Sequence, residues 1–316
     1  MKNGTDYVIF PGLQRIKRRI FMKLGIIGGS GLEKLEGLEC RRIHTADTPF
    51  GKPSDGIVEG VIGGATLYFL PRHGRGHTIL PSEINHRANI YALKQLGVTH
   101  ILSISAVGSL QEQYAPRDIV VIDQFYDRTK QSAAHTFFGG GIVAHLAFAN
   151  PVCPEFAELA AEVSEKAVAE LPGNVKRPSV YRKGTYVNME GPAFSTAAES
   201  RIYHQLGFDV IGMTNLGEAK LAREAEICYS SIAMVTDYDS WHPHNEFVTV
   251  NMIVENFAAN VALAKRIIVH MAAAFSGIGR KCSCGHALDG AVITHRDAIA
   301  PHLREKLDLI IGKYIK

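Results

Sequence analysis

The run Leu24-Gly25-Ile26-Ile27 passes directly into Gly28-Gly29-Ser30-Gly31, and this junction restricts the fold more than any other stretch of the chain. A short apolar run closed by a glycine-rich turn reads as a buried strand that delivers backbone N–H groups to an anion. A buried strand needs cover on both faces, and the downstream pattern supplies it. Ile57 to Ile62 and Thr66 to Leu70, joined by Gly63-Gly64, read as a hairpin. Behind Pro81-Ser82-Glu83, the stretch Ser82 to Leu96 sets Ile84, Ala88, Tyr91, Ala92 and Leu96 at helical spacing. Strands are then predicted at Ile101 to Ser105, Asp118 to Asp123, Ser179 to Met189, Asp209 to Met213 and Cys228 to Thr236. Helices are predicted at Pro154 to Leu171, Thr196 to Leu206, Leu216 to Glu226 and Val250 to Phe275.

This alternation, without repeats or a long linker, predicts an α/β fold: a single domain with a central mixed β-sheet flanked by helices. Residues 1–22 read as a flexible leader, with Met22 just before the first strand, and residues 23–277 as the domain. Residues 278–316 read as a C-terminal extension that packs on the domain, with a short helix over 297–311.

Composition narrows the classes. A chain of 316 residues with 46% apolar and 21% charged side chains is globular rather than disordered. It is long enough to bury about 75% of its unfolded surface, so its core needs no disulfide staples. A net charge of +3, with one basic cluster at Arg15, Lys17, Arg18 and Arg19, argues against a nucleic-acid partner. No stretch approaches about 18 consecutive apolar residues, so no membrane partner is expected. Five cysteines, an odd number, with Cys40, Cys153 and Cys228 far apart, do not read as a secreted framework and point to a cytoplasmic protein.

Four predicted strand ends carry small or hydroxyl residues: Gly28-Gly29-Ser30, Ser105-Ala106, Met213-Thr214 and Thr236-Asp237. Ligands of open α/β sheets bind outside such ends, so the set predicts a site for a polar, phosphate-bearing ligand. The glycine turn lacks the G-x-G-x-x-G fingerprint and is no Walker loop. Arg72 offers a planar donor fork suited to phosphate oxygens, and His73 is expected to offer a second donor. His73 and His77 are spaced like zinc ligands, but Gly74 and Gly76 would break the helix that such a pair occupies. Asp237 and Asp239, two residues apart, project to one side of an extended chain, where a carboxylate can hold or donate a proton to a ring nitrogen. A solvated acidic turn explains that pair equally well.

Taken in order, these segments resemble the methylthioadenosine phosphorylases, a branch of the trimeric purine nucleoside phosphorylases. The resemblance rests on Gly-Ile-Ile-Gly-Gly-Ser-Gly (25–31), Thr-Pro-Phe-Gly-Lys-Pro-Ser (48–54), Arg-His-Gly-Arg-Gly-His (72–77) and Pro-Ser-Glu-Ile-Asn-His-Arg-Ala-Asn-Ile (81–90). Ile-Asp-Gln-Phe-Tyr-Asp-Arg-Thr (122–129), Glu-Gly-Pro-Ala-Phe-Ser (190–195), Gly-Met-Thr-Asn (212–215) and the run 228–239 agree with it. The resemblance implies phosphorolysis of 5′-methylthioadenosine to adenine and 5-methylthioribose 1-phosphate. It implies no cofactor and no catalytic metal, with inorganic phosphate as co-substrate and a trimer or a dimer of trimers as the assembly.

Position by position, it makes Ser30, Arg72, His73, Ser105, Ala106 and Thr214 the phosphate shell; many members have Thr at the positions of Ser30 and Ser105. It lays Met213 against the ribose, stacks Phe194 on the purine, and sets Thr236, Asp237 and Asp239 at the N7 and 6-amino edge. Asp237 is the expected proton donor, which requires a pKa above the usual value near 4. Val250, Ile253 and Val254 would line a slot for the methylthio group, although their spacing also fits ordinary core. His145 would reach the neighbouring subunit's site; the stretch from Gln131 to Gly141 departs from the family pattern. Cys282-Ser283-Cys284 resembles C-x-C tails found in the family, where the pair is redox-active or stabilises the chain. With His286 it would be one ligand short of a zinc site. The alternatives are a methylthioinosine phosphorylase or a broad purine nucleoside phosphorylase. A dinucleotide-binding module and a non-catalytic purine binder fit the residues less well.

Overall fold

The computed structural model describes residues 22–315 except 30, 33–37, 63–64, 244–249 and 276–278, and gives residues 132 and 250–254 by backbone only. The chain opens with β1 (Leu24–Gly28), β2 (Glu39–His44), β3 (Ile57–Ile62) and β4 (Ala65–Pro71). It continues through α1 (His86–Gln95), β5 (His100–Ser109), β6 (Ile119–Ile122), β7 (Gln124–Arg128), α2 (Pro154–Ala169), β8 (Val180–Tyr181) and β9 (Thr185–Met189). It closes with α3 (Ala197–Gln205), β10 (Val210–Gly212), α4 (Asn215–Glu224), β11 (Cys228–Tyr238), α5 (Val250–Phe275) and α6 (Pro301–Ile311).

Among the described residues, eleven strands form one mixed sheet in the order β2-β3-β4-β1-β5-β10-β9-β7, with β11 pairing β5 and β6, and β6 pairing β8. β3 and β4 form the expected hairpin. β1 lies parallel between β4 and β5, and all five of its residues are buried.

Several elements differ from the sequence reading for identifiable reasons. The expected helix 82–96 starts with a 3-10 turn at Pro81–Glu83, and α1 begins only where Asn85 caps it by accepting the Ala88 N–H at 3.0 Å. The single strand expected over 179–189 is two, because β8 pairs β6 while β9 pairs β7 and β10. Between them, Asp123 accepts the Gly184 N–H at 3.0 Å and Asp209 accepts the Thr185 N–H at 2.6 Å. β2 and β7 escape the sequence reading because both are exposed outer strands without an apolar run.

α5 is long and apolar enough over Glu255–Phe275 to cross a membrane by length and composition. Its face Leu263, Ala264, Ile267, Ile268, Met271, Ala272 and Phe275 is instead buried against α2 and β11. Leu307, Ile310 and Ile311 of α6 join the same core, so the C-terminal extension packs on the sheet domain.

Ile267 is fully buried on that face. Ile267→Ala should cost about 2–5 kcal/mol of stability, read from urea unfolding; an unchanged midpoint would contradict the packing of α5.

Candidate active site

The site exists because β5 changes partners midway. β1 pairs β5 only as far as Gly28 opposite Ile104, and β10 takes over at Gly108 and Ser109. Ser105, Ala106 and Val107 are therefore unpaired on that edge while β11 holds the other. This is the switch point of the sheet, where a crevice opens. A cavity of about 830 Å³ fills it, within the size range of small-molecule sites. Ala106 is exposed there in an otherwise buried strand. Ser105 Oγ is buried without a hydrogen-bond partner on the same wall, and such a hydroxyl costs free energy until a ligand or water supplies a bond.

Arg72 forms the floor at the end of β4, only 2% exposed. Its Nε donates to Glu218 Oε1 at 2.9 Å, and Nη2 donates to Ser103 Oγ at 2.7 Å and to the Ile27 carbonyl at 3.3 Å. Nη1 lies beside Gly29 on the cavity wall. Glu218 is equally enclosed, taking Ser103 Oγ at 2.6 Å and Tyr229 OH at 2.9 Å on Oε2. A buried ion pair bonded on every side fixes the orientation of the guanidinium. Thr214 caps α4 beside it, with its hydroxyl on Asn215 Oδ1 at 2.9 Å, so the positive end of that helix also faces the cavity.

His73 departs from expectation. Its Nδ1 lies 2.9 Å from the Ile79 carbonyl, which can only accept, so Nδ1 carries the proton. Burial and then the Arg72 charge push its pKa down to about 4. The ring is neutral, and Nε2 is an acceptor rather than the expected second donor. It suits an anion that still carries an O–H. His77 stacks on it with ring centroids 4.3 Å apart.

The opposite wall is the end of β11. A bulge between Val235 and Asp237 breaks its register with β5, and Thr236 anchors the break by donating to the Val107 carbonyl at 3.1 Å. Asp237 and Asp239 both line the cavity. Burial, and then the neighbouring Asp239 against a Thr236 hydrogen bond, raises Asp237 to about 6. Asp239 is raised by burial too, and Ser200 donates to it at 2.5 Å. Met213 packs over Gly191, whose φ of +71° and lack of a side chain permit the approach. Phe194 stands at the cavity with 81% exposure. From α5, Phe257, Asn260, Val261 and Ala264 complete the apolar side at helical spacing.

One crevice thus holds a buried, clamped guanidinium on one wall and a carboxyl raised by burial on another. The Phosphorylase superfamily profile covers residues 23–273. S-methyl-5′-thioadenosine phosphorylase from Geobacter sulfurreducens is 53% identical, covering 92% of this chain and 99% of that protein. Its counterpart from Koribacter versatilis is 52% identical over 92% and 96%. This chain belongs to the S-methyl-5′-thioadenosine phosphorylase family. Among solved structures, a methylthioadenosine phosphorylase from an antarctic soil metagenomic library superposes with TM-score 0.85 at 43% identity, covering 92% of this chain and 99% of that one. A point variant of the Schistosoma mansoni adenosine/methylthioadenosine phosphorylase, solved with methylthioadenosine, gives 0.75 at 39% identity over 82% and 93%.

Most of the residues singled out in the sequence of this phosphorylase line the one cavity: Arg72, His73, Ser105, Ala106, Phe194, Met213, Thr214, Thr236, Asp237 and Asp239. Ser30 lies outside the described residues, between Gly29 and Gly31, as do the side chains of Val250, Ile253 and Val254 at the start of α5. His145 is exposed and lies outside the cavity of its own chain, its N–H donating to the Ala291 carbonyl at 3.0 Å. The sequence reading missed Ser103 and Glu218, which hold Arg72, Tyr229, which holds Glu218, and Phe257, Asn260 and Val261. Glu218 sits inside an ordinary-looking helix, and only the fold opposes it to Arg72.

Glu218→Ala leaves a buried guanidinium unpaired, so it should cost about 3–5 kcal/mol in denaturant unfolding and weaken inorganic phosphate binding in calorimetry. Wild-type phosphate affinity would show that Glu218 does not position Arg72.

Proposed function

We propose that this chain catalyses the reversible phosphorolysis of 5′-methylthioadenosine to adenine and 5-methylthioribose 1-phosphate. The observation that carries the reading is the single cavity shared by the Arg72 floor and the Asp237 roof. The C1′–N9 bond loosens first, the sugar gains positive charge, and phosphate closes on C1′ from the opposite face. Arg72, the Ala106 backbone, the Ser105 and Ser30 hydroxyls and the Thr214 end of α4 hold that anion beneath the ring. Fixed donors of this kind supply stabilisation without reorganisation at the moment of reaction.

The neutral His73 accepts the remaining O–H of hydrogen phosphate. Proton count balances: hydrogen phosphate arrives with one proton and adenine leaves with one. Asp237, whose carboxyl burial raises to about 6, gives a proton to N7 and regains one from solvent, into which the sugar phosphate releases the proton that hydrogen phosphate brought; Asp239 accepts from the 6-amino group. Met213 bears on the ribose hydroxyls and Phe194 covers the base. The apolar start of α5, including Val250, Ile253 and Val254, receives the methylthio group.

A carboxylate accepts from a 6-amino group and mismatches a 6-oxo purine. A buried mismatch of this type discriminates strongly, which favours the adenine nucleoside over the methylthioinosine and broad-specificity alternatives. The transfer moves no net electrons and draws its electrophilic help from Arg72, so we assign it no organic cofactor and no metal at the reacting atoms. The assembly is a homo-oligomer, trimer or dimer of trimers. Its support is the exposed apolar side chains Phe194, which lines the cavity, and Ile202, Leu206 and Tyr126, the last stacked on Phe208 at 4.6 Å. In such an assembly His145 would serve the neighbouring subunit's site. The unpaired thiols of all five cysteines favour the cytoplasm.

Steady-state assays should give a kcat/KM for methylthioadenosine at least about a hundredfold above that for inosine; equal turnover defeats the assignment. Asp237→Asn should lose at least about a hundredfold in kcat, a general-acid effect, while folding normally.

The same change has a stability signature. A carboxyl raised to about 6 by burial penalises the folded state once ionised. The penalty is complete above pH 6 and absent below the ordinary value near 4. Asp237→Asn should therefore melt higher than wild type at pH 8 and alike at pH 3.5–4; a lower melting temperature at pH 8 would reverse the sign.

A further inference from the structure

Four of the five cysteines gather at the far end of the sheet from the crevice. Cys153 caps α2, Cys228 begins β11, and Cys282 and Cys284 come from the C-terminal extension. β11 runs from Cys228 to the Asp237 carboxylate, a span of nine residues and so about 30 Å. All four Sγ atoms lie within 4.8 Å of one another, and Cys228 and Cys282 approach to 3.3 Å. Cys153, Cys228 and Cys284 are buried and Cys282 is half-buried.

The spacing is that of a cage. Zinc–sulfur bonds of about 2.3 Å in a tetrahedron set sulfurs about 3.8 Å apart, inside the observed range. Two disulfides would need each pair to close to about 2.05 Å and to separate from the other. Here each sulfur is instead near all three others. The missing ligands of the Cys282-x-Cys284 pair are therefore Cys153 and Cys228, and His286, 72% exposed, is not among them.

A second group points to the same place. The guanidinium of Arg280 stacks over Gly285, next to Cys284, and donates to the Glu226 carbonyl at 2.7 Å. Its Nε is buried without a hydrogen-bond partner, and the thiols of Cys228, Cys282 and Cys284 lie close enough to interact with the guanidinium. A tetrathiolate around a divalent ion keeps a net charge near −2, which a buried arginine beside the sulfurs offsets.

We propose that Cys153, Cys228, Cys282 and Cys284 form a closed, structural four-thiolate site for one divalent zinc ion, which clamps the C-terminal extension to the base of β11 and α2. Four protein sulfurs leave no open position for substrate, and soft thiolates in a tetrahedron select zinc among common divalent ions. The clamp ties segments that are distant in sequence, and because its four ligands meet only in the folded chain, the binding free energy adds to the stability of the fold.

The test uses the full-length protein, purified under reducing conditions without metal-chelating resin. Elemental analysis should find one zinc per chain, and a mercurial titration should release it as the four thiols react. Protein stripped of metal and refilled with Co²⁺ should show the thiolate charge-transfer and visible bands of a tetrahedral tetrathiolate. Cys282→Ser, at the least buried ligand, should lose the metal and lower Tm while leaving kcat at 25 °C within about twofold of wild type; Cys40→Ser should keep both metal and Tm. Metal-free protein overturns the proposal, whether its thiols titrate freely or mass spectrometry finds them as disulfides. Zinc retained in full by Cys282→Ser overturns the ligand set.

Discussion

The ion pair of Arg72 with Glu218 is the constraint around which the crevice is built. A guanidinium 2% exposed at the end of a strand would be prohibitively costly alone. Three different elements therefore converge on it: β5 through Ser103, α4 through Glu218, and β11 through Tyr229, which binds the same carboxylate. Glu218 fixes Nε, Ser103 and the Ile27 carbonyl fix Nη2, Tyr229 steadies Glu218, and the remaining nitrogen, Nη1, lies beside Gly29. The arrangement explains why α4 starts where it does. The turn that carries Thr214 brings the helix terminus and the arginine to the same side of the same space.

The second half of the site follows from strand geometry rather than from charge. β5 leaves β1 before it reaches β10, and this gap exposes backbone donors at Ser105 to Val107. On the facing edge, the β11 bulge re-aims the chain at Thr236 and turns Asp237 into the opening. Asp237 is raised and Arg72 is clamped for a common reason: both sit where water is scarce. Burial and the neighbouring Asp239 raise the Asp237 carboxyl against its Thr236 hydrogen bond, while Glu218, Ser103 and the Ile27 carbonyl hold the guanidinium.

The local chemistry of the site was legible in the chain, whereas its support was not. Gly28-Gly29, Arg72-His73, Thr214 and Asp237 each follow a strand or open a helix, so periodicity places them at one end of a sheet. The family resemblance ties them to one reaction. Glu218 and Ser103 carry no local mark, since a glutamate in an Ala- and Lys-rich helix reads as solvent-facing until the fold buries it. The proton position on His73 was also invisible, because it depends on a carbonyl six residues away. β2 and β7 were missed for the opposite reason: polar outer strands are ordered by their neighbours and not by their own pattern. The C-x-C pair read as incomplete because its two companions lie some fifty and some hundred and thirty residues upstream.

The account rests on phosphate attacking the sugar from beneath while the purine departs above it, and one assay addresses that directly. Methylthioadenosine is incubated with enzyme in phosphate-free buffer and again with saturating phosphate, and both adenine and the sugar product are measured. Adenine release that requires phosphate, with the sugar recovered as its 1-phosphate, is the predicted result. Adenine released equally fast without phosphate, together with free methylthioribose, would mean that water is the nucleophile and would contradict the role given to the Arg72 floor.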